Sequence, residues 1–247
     1  ALDRLIERFA PAHAARRFQA RAMFALTSGG YAGARTDRRG LRDFRPRAGS
    51  ADADINWDLD TWRARSADLA RNNPIGGGAI HTAVNHTVGT GLAVNPRIDR
   101  EILGLDEDEA KELEREIGTY WRVFVDECDF YRRADFYGLQ RLGFRSALER
   151  GDCLAILPWR KRPGNVFGTK IQLVEGDRLS NPTGRPDSLT LSGGVELDEE
   201  GVAIGYHISS FHPGDTSLMR RREWQEYAAY DSNGVRRVLH LYRQLRI

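Results

Sequence analysis

The sequence predicts an α+β fold in which N-terminal helices are followed by a small antiparallel β-sheet region. Three observations predict it. Apolar residues recur at helical spacing as far as Gly151, the spacing then changes to two-residue alternation, and helices precede strands instead of alternating with them. Helices first and strands afterwards exclude a parallel βαβ arrangement. With 247 residues, 40% hydrophobic and 29% charged, the chain has the make-up of a globular protein, neither disordered nor fibrous.

Leu2, Leu5, Ile6 and Phe9 set a first helical stripe, and Pro11 kinks that helix or opens another running to about Leu26. Thr27 to Asn56 has no periodicity and is rich in Gly, Arg, Ser and Asp, which reads as an arm that orders on contact with something else. Leu59, Trp62 and Leu69 form the next stripe behind a cap at Asp58 or Asp60. Asn73 and Pro74 close that helix and open another, which carries Ile75, Ala79, Ile80, Ala83, Val84 and Val88 on one side. Gly76, Gly77 and Gly78 each cost about 1 kcal/mol against alanine, so they either permit a close backbone approach or precede the true helix start. Asp106 to Glu127 is the clearest helix, with a capping box at Asp106 and Glu109 and a buried face of Ala110, Leu113, Ile117, Tyr120, Trp121 and Phe124. Asp135 caps another, with Phe136, Leu139, Leu142, Phe144 and Leu148 inside and Gly151 as its stop.

Strands follow at Cys153 to Trp159 and Thr169 to Val174 around a turn at Pro163 and Gly164. Gly194 to Leu197 and Val202 to Ser209 read as a hairpin, with Val202, Ile204, Tyr206 and Ile208 on one face, and Val235 to Tyr242 as a last strand. The expected divisions are 1–56, a helix and Arg-rich arm; 57–151, helical; and 152–247, antiparallel β.

Charge is segregated although the net is only +2. Residues 1–50 hold eleven arginines against four acids, a net of +7, whereas residues 97–129 hold twelve acids against five bases, a net of −7. Such an arm suits an anionic surface, either nucleic acid or the acidic face of a neighbouring copy; the plain alternative is a solvated Arg-rich stretch. Cys128 and Cys153 are 25 apart and read as two reduced thiols. No apolar run approaches the ~20 residues of a membrane span, and charges interrupt the first eleven residues too often for a secretory signal.

The search for chemistry returns no catalytic, cofactor or metal set. No GxxxxGK[ST] or GxSxG string occurs. His81 and His86 are five apart, off the spacing of an HExxH site, and read as surface or satisfied histidines. Asp52 and Asp54 form a DxD too short to argue a cation site. His207, His212 and His240 have no serine or cysteine in a nucleophile context, and Asp198 to Glu200 reads as an acidic hairpin tip.

Several longer strings resemble the lambda-type family of tailed-bacteriophage portal proteins: SADADI at Ser50 to Ile55, RARSADLARNNP at Arg63 to Pro74, VGTGL at Val88 to Leu92, FRSALERGD at Phe144 to Asp152, and QLVEGDRLSNP at Gln172 to Pro182. GVELDEEGVAIGYHI at Gly194 to Ile208, HPGD at His212 to Asp215 and VLHLYR at Val238 to Arg243 continue the series in order. The resemblance implies a structural, non-enzymatic protein in a wing-like fold, forming a homo-oligomeric ring, typically a dodecamer, at one capsid vertex of the virion after assembly in the host cytoplasm. Implied partners are the terminase large subunit, the major capsid protein, head-completion or adaptor proteins, and double-stranded DNA passing through without sequence specificity; no membrane and no cofactor are implied. In this family the chain continues into stem, clip and crown, which are expected beyond Ile247. A conduit should not grip its cargo, because each phosphate neutralised adds salt-dependent affinity. Arg35, Arg38, Arg39, Arg42, Arg45 and Arg47 are therefore expected to face a subunit or the capsid, not the moving duplex. The alternative function is an Arg-rich nucleic-acid-binding module; a hydrolase stands well behind both.

Overall fold

Proline at the first turn of a helix loses no backbone bond and presets φ, and Pro11 does this for α1 (Pro11–Thr27), whose first turn closes with His13 and Ala14 N–H groups on the Ala10 carbonyl. A computed structural model describes residues 9–27, 39–40, 43–46, 48–215 and 221–244. The stripe residues Leu2, Leu5 and Ile6 lie outside them. The chain divides into two compact units, Ala1–Gly49, which holds α1, and Ser50–Ile247.

The second unit begins with α2 (Ala51–Ile55), a five-residue helix inside the stretch read as an arm. Five residues are too few to show a period, but Ser50 caps them by accepting the Ala53 N–H, and Asp52 accepts a hydrogen bond from Ser192 Oγ at 2.6 Å. Next come α3 (Leu59–Asn72) and α4 (Pro74–Thr87), joined by Asn73, whose side chain accepts the N–H groups of Ile75 and Gly76. Asp58 occupies the cap position of α3 but makes no side-chain capping bond. The glycines lie inside α4. A Cβ on Gly77 would fall 2.7 Å from the Ala70 carbonyl and one on Gly76 2.8 Å from the Leu69 side chain, so they let α4 pack hard against the preceding helix.

A short α5 (Arg100–Leu103) precedes α6 (Glu107–Glu127), where Asp106 and Glu109 form the reciprocal capping box that the sequence predicts. α7 (Phe136–Arg150) is capped by Asp135 and ends at Gly151 in the left-handed region. Seven strands follow among the described residues, in two antiparallel sheets instead of one. The first has the order β2-β1-β7, from β1 (Asp152–Ile156), β2 (Gln172–Glu175) and β7 (Val238–Tyr242); the second runs in sequence order through β3 (Leu191–Ser192), β4 (Val195–Leu197), β5 (Ala203–Ser209) and β6 (Trp224–Ala228). Sequence reading missed β3 and β6, the one being two residues long and the other alternating without a continuous apolar face.

Every residue of β1 is buried, as befits a central strand covered by α7. Leu154, Ile156 and Val238 of the first sheet meet Tyr206 and Ile208 of the second, with Val174, Leu179 and Ala229, in one core. Predicted inner faces shift where tertiary contacts decide. On α3 the buried residues are Arg63 and Ala67, while Trp62 and Leu69 are exposed; on α7, Leu139 and Gly143 are buried and Leu142 and Leu148 exposed; Tyr120, Ile75, Val202 and Ile204 also lie outward.

Candidate functional site

Burying a charge is costly unless it is paired, so buried ionic groups show where helices are tied to sheets. Arg63 on α3 is 6% exposed; its Nη2 donates to Asp152 Oδ1 at 2.6 Å, and its Nε to the Arg150 carbonyl at 3.3 Å. The other Asp152 oxygen meets His240 Nε2 of β7 at 2.9 Å. Burial by itself would raise the Asp152 pKa, but the His240 hydrogen bond and the Arg63 charge outweigh it and hold the carboxyl below its ordinary value. Gly176 leaves room for this pair, since a Cβ there would collide with the Asp152 carboxylate. Beside it, Arg150 donates to Asp177 Oδ1 at 3.2 Å. This network joins α3, α7, β1 and β7.

A second polar knot holds α2 against the β3–β4 turn. Asn56 donates to Asp187 Oδ2 at 2.9 Å, while Asn181 and the Gly193 N–H donate to Asp187 Oδ1. Burial pushes Asp187 up, but these bonds prevail and lower its pKa. Asp52 is spent on Ser192 and Asp54 is also engaged, so the DxD serves as part of this joint.

His81 and His207 are likewise used structurally. His81 pairs with Asn85 one turn on, and His207 with Glu196 across strands at 2.9 Å. His212 lies 3.8 Å from Glu175 and 3.7 Å from Asp177, a group with metal-ligand chemistry. Its Nδ1, however, accepts the Gly214 N–H, which places the proton on Nε2, the nitrogen facing the carboxylates. Cys128 and Cys153 are fully buried, and burial pushes both thiols up to about 11, far from a reactive thiolate.

Of the arginines singled out from sequence, Arg39 and Arg45 are exposed; Arg35, Arg38, Arg42 and Arg47 lie outside the described residues. The structure assembles a basic surface that sequence reasoning missed. Arg160 and Arg162, just before the Pro163–Gly164 turn, stack on Phe130, Arg162 Nη2 donates to the Phe130 carbonyl at 2.7 Å, and Arg133 stacks on Tyr131. The run Arg160, Lys161, Arg162 was the available signal, but its neighbours Arg132 and Arg133 are distant in sequence. An apolar groove of about 800 Å³ lies between α7 and the first sheet, lined by Leu92, Phe136, Phe144, Leu173, Leu239 and Leu241 among others. Among the described residues no helix is long and apolar enough to cross a membrane.

In this body ionisable groups tie helices to sheets, through Arg63–Asp152–His240 and through Asp52–Ser192. Residues 37–247 match the family described as phage portal protein, lambda family, and the chain belongs to that family. It is 31% identical over 173 residues to portal protein B of Escherichia phage lambda, covering 68% of this chain and 32% of that protein. It is 27% identical over 173 residues to the portal protein of Escherichia phage N15, with 68% and 33% covered. The chain thus spans about a third of the length of the curated relatives it matches.

Proposed function

We propose that this chain forms the N-terminal and wing portion of a portal subunit, a structural element of a homo-oligomeric ring at one vertex of the virion capsid. Double-stranded DNA enters through such a ring, driven by terminase, and later leaves towards the tail. The observation that carries this reading is the family match over residues 37–247. Residues 1–56 act as helix and arm, 57–151 as a helical part and 152–247 as the β part of the wing. The terminase large subunit, the major capsid protein and head-completion proteins are its partners. Its role is in shape and subunit contact, without bond-making chemistry, cofactor or sequence-specific DNA reading.

The arm arginines Arg35, Arg38, Arg39, Arg42, Arg45 and Arg47 face protein in this reading. Sedimentation velocity and electron micrographs of the intact protein should show rings with weak, non-specific DNA contact. A monomer with steeply salt-dependent DNA affinity would instead establish the Arg-rich nucleic-acid module. Replacing Arg38, Arg39 and Arg42 by Gln should impair rings or head incorporation; intact rings that fail to retain DNA would overturn the assignment of the arm.

A further inference from the structure

The N-terminal half of helix α6 is strongly acidic, and a basic platform stands beyond its C-terminal end. Residues 100–116 hold eight acids and three bases, a net of −5. Lys111 and Arg100 are drawn to Glu107, and Arg115 to Glu112, which leaves the other six acids, Asp108 and Glu116 among them, without an ion pair among the described residues. Acids in the first turn suit the helix dipole and Glu112 is held by Arg115 one turn on, but Glu116 lies beyond the reach of the dipole and has no ion pair among the described residues.

Past the other end, which lies about 17 Å along the axis from Glu116, stands the basic platform of Arg132, Arg133, Arg160, Lys161 and Arg162. It is rigidly built. The Asp129 carboxylate accepts the N–H groups of Tyr131, Arg133 and Ala134 and fixes the turn, and Phe130 seats two guanidiniums. Nearby carboxylates face backbone donors: Glu127 takes the Val166 and Phe167 N–H groups, and Asp135 takes that of Gly138. Among the described residues none of the five cations has a carboxylate within ion-pair distance, and Arg132, Arg133, Arg160 and Lys161 are exposed.

We infer that this platform docks against the acidic outer face of α6 on a second copy of the chain, forming a head-to-tail contact. The acidic N-terminal half of α6 and the platform past its C-terminus are held apart by the helix and do not meet within one molecule, yet they match between copies, and a heterologous contact of this kind closes into a ring when its rotation permits. A nucleic-acid duplex fits the platform less well. Exposed Asp126 and Asp135 border the same hollow as Arg132 and Arg133 and would repel phosphates, whereas Lys111 and Arg115 within the acidic face complement them. The inference rests on the ring reading and names the surfaces that build it.

Two charge-reversed variants test it. One carries Arg132→Glu, Arg160→Glu and Lys161→Glu; the other Asp108→Lys, Glu112→Lys and Glu116→Lys; circular dichroism confirms that each is folded. In sedimentation velocity at moderate salt each variant should self-associate roughly tenfold or more weakly than the wild type, because like charges then face each other. An equimolar mixture should regain assembly, since every contact in an alternating ring is again complementary. If both variants assemble as the wild type does, or if mixing restores nothing, the docking is wrong while the ring stands. If the platform variant keeps its rings and loses only DNA retention, the platform belongs to nucleic acid. A wild type that never self-associates removes the ring reading itself.

Discussion

Arg63 shows how far a single side chain departs from its sequence pattern. A helical stripe assigns the inner face of α3 to Trp62 and Leu69, yet both stand in solvent and an arginine enters the core. The reason is Asp152, 89 positions on, which needs a cation once it is buried at the start of β1. Replacing Arg63 by Ala leaves that carboxylate facing only His240, and the expected loss is about 3–5 kcal/mol in denaturant unfolding. The pH dependence has a definite sign. The folded pKa of Asp152 lies below the unfolded value near 3.9, so its contribution is complete above about pH 4 and is lost as pH falls through the folded value. Melting temperature should therefore fall with acidification below about pH 4, and Asp152→Asn should be less stable at neutral pH with a flatter acid limb; an unchanged acid limb would argue against this pairing.

Among the elements, the α3–α4 pair turns a local cost into a contact. Three successive glycines look like a weak helix start, but two of them face α3 at backbone distance while Gly78 has nothing within 4 Å of its Cβ position. Gly77→Ala should destabilise by roughly 1–3 kcal/mol, because the Ala70 carbonyl cannot yield as a side chain can. Gly78→Ala should stabilise by about 1 kcal/mol through helix propensity alone. Equal effects in thermal melts would show that the close approach is not what places these glycines. Caps, by contrast, were legible: Asp106, Asn73, Asp135 and Gly151 act where the sequence puts them, because a cap is satisfied by backbone groups two to four residues away.

For the whole molecule, one core joins the two sheets, and the Arg63–Asp152–His240 network joins the first of them to the helices. Cys128 at the end of α6 and Cys153 in the central strand are sealed within this body, with relative exposures of 0% and 1%. Both thiols should resist a thiol reagent in the native protein and become reactive together, at one rate, as the denaturant midpoint is crossed. A fast-reacting Cys128 would show the helical part opening apart from the sheets.

The sequence alone determined the caps of the longer helices, the change from helical to alternating periodicity, the segregation of charge and, through ordered strings from Ser50 to Arg243, the family, while the short helices α2 and α5 escaped it. These are local or linear properties, carried by neighbours in the chain. Only the tertiary structure decided which face of each helix is buried, the division of the strands into two sheets with β7 returning to β1, and the gathering of Phe130, Arg133 and Arg160 into a platform. Those outcomes depend on burial and pairing between groups tens of residues apart, where the desolvation of one charge dictates the place of another, and no window along the chain contains both.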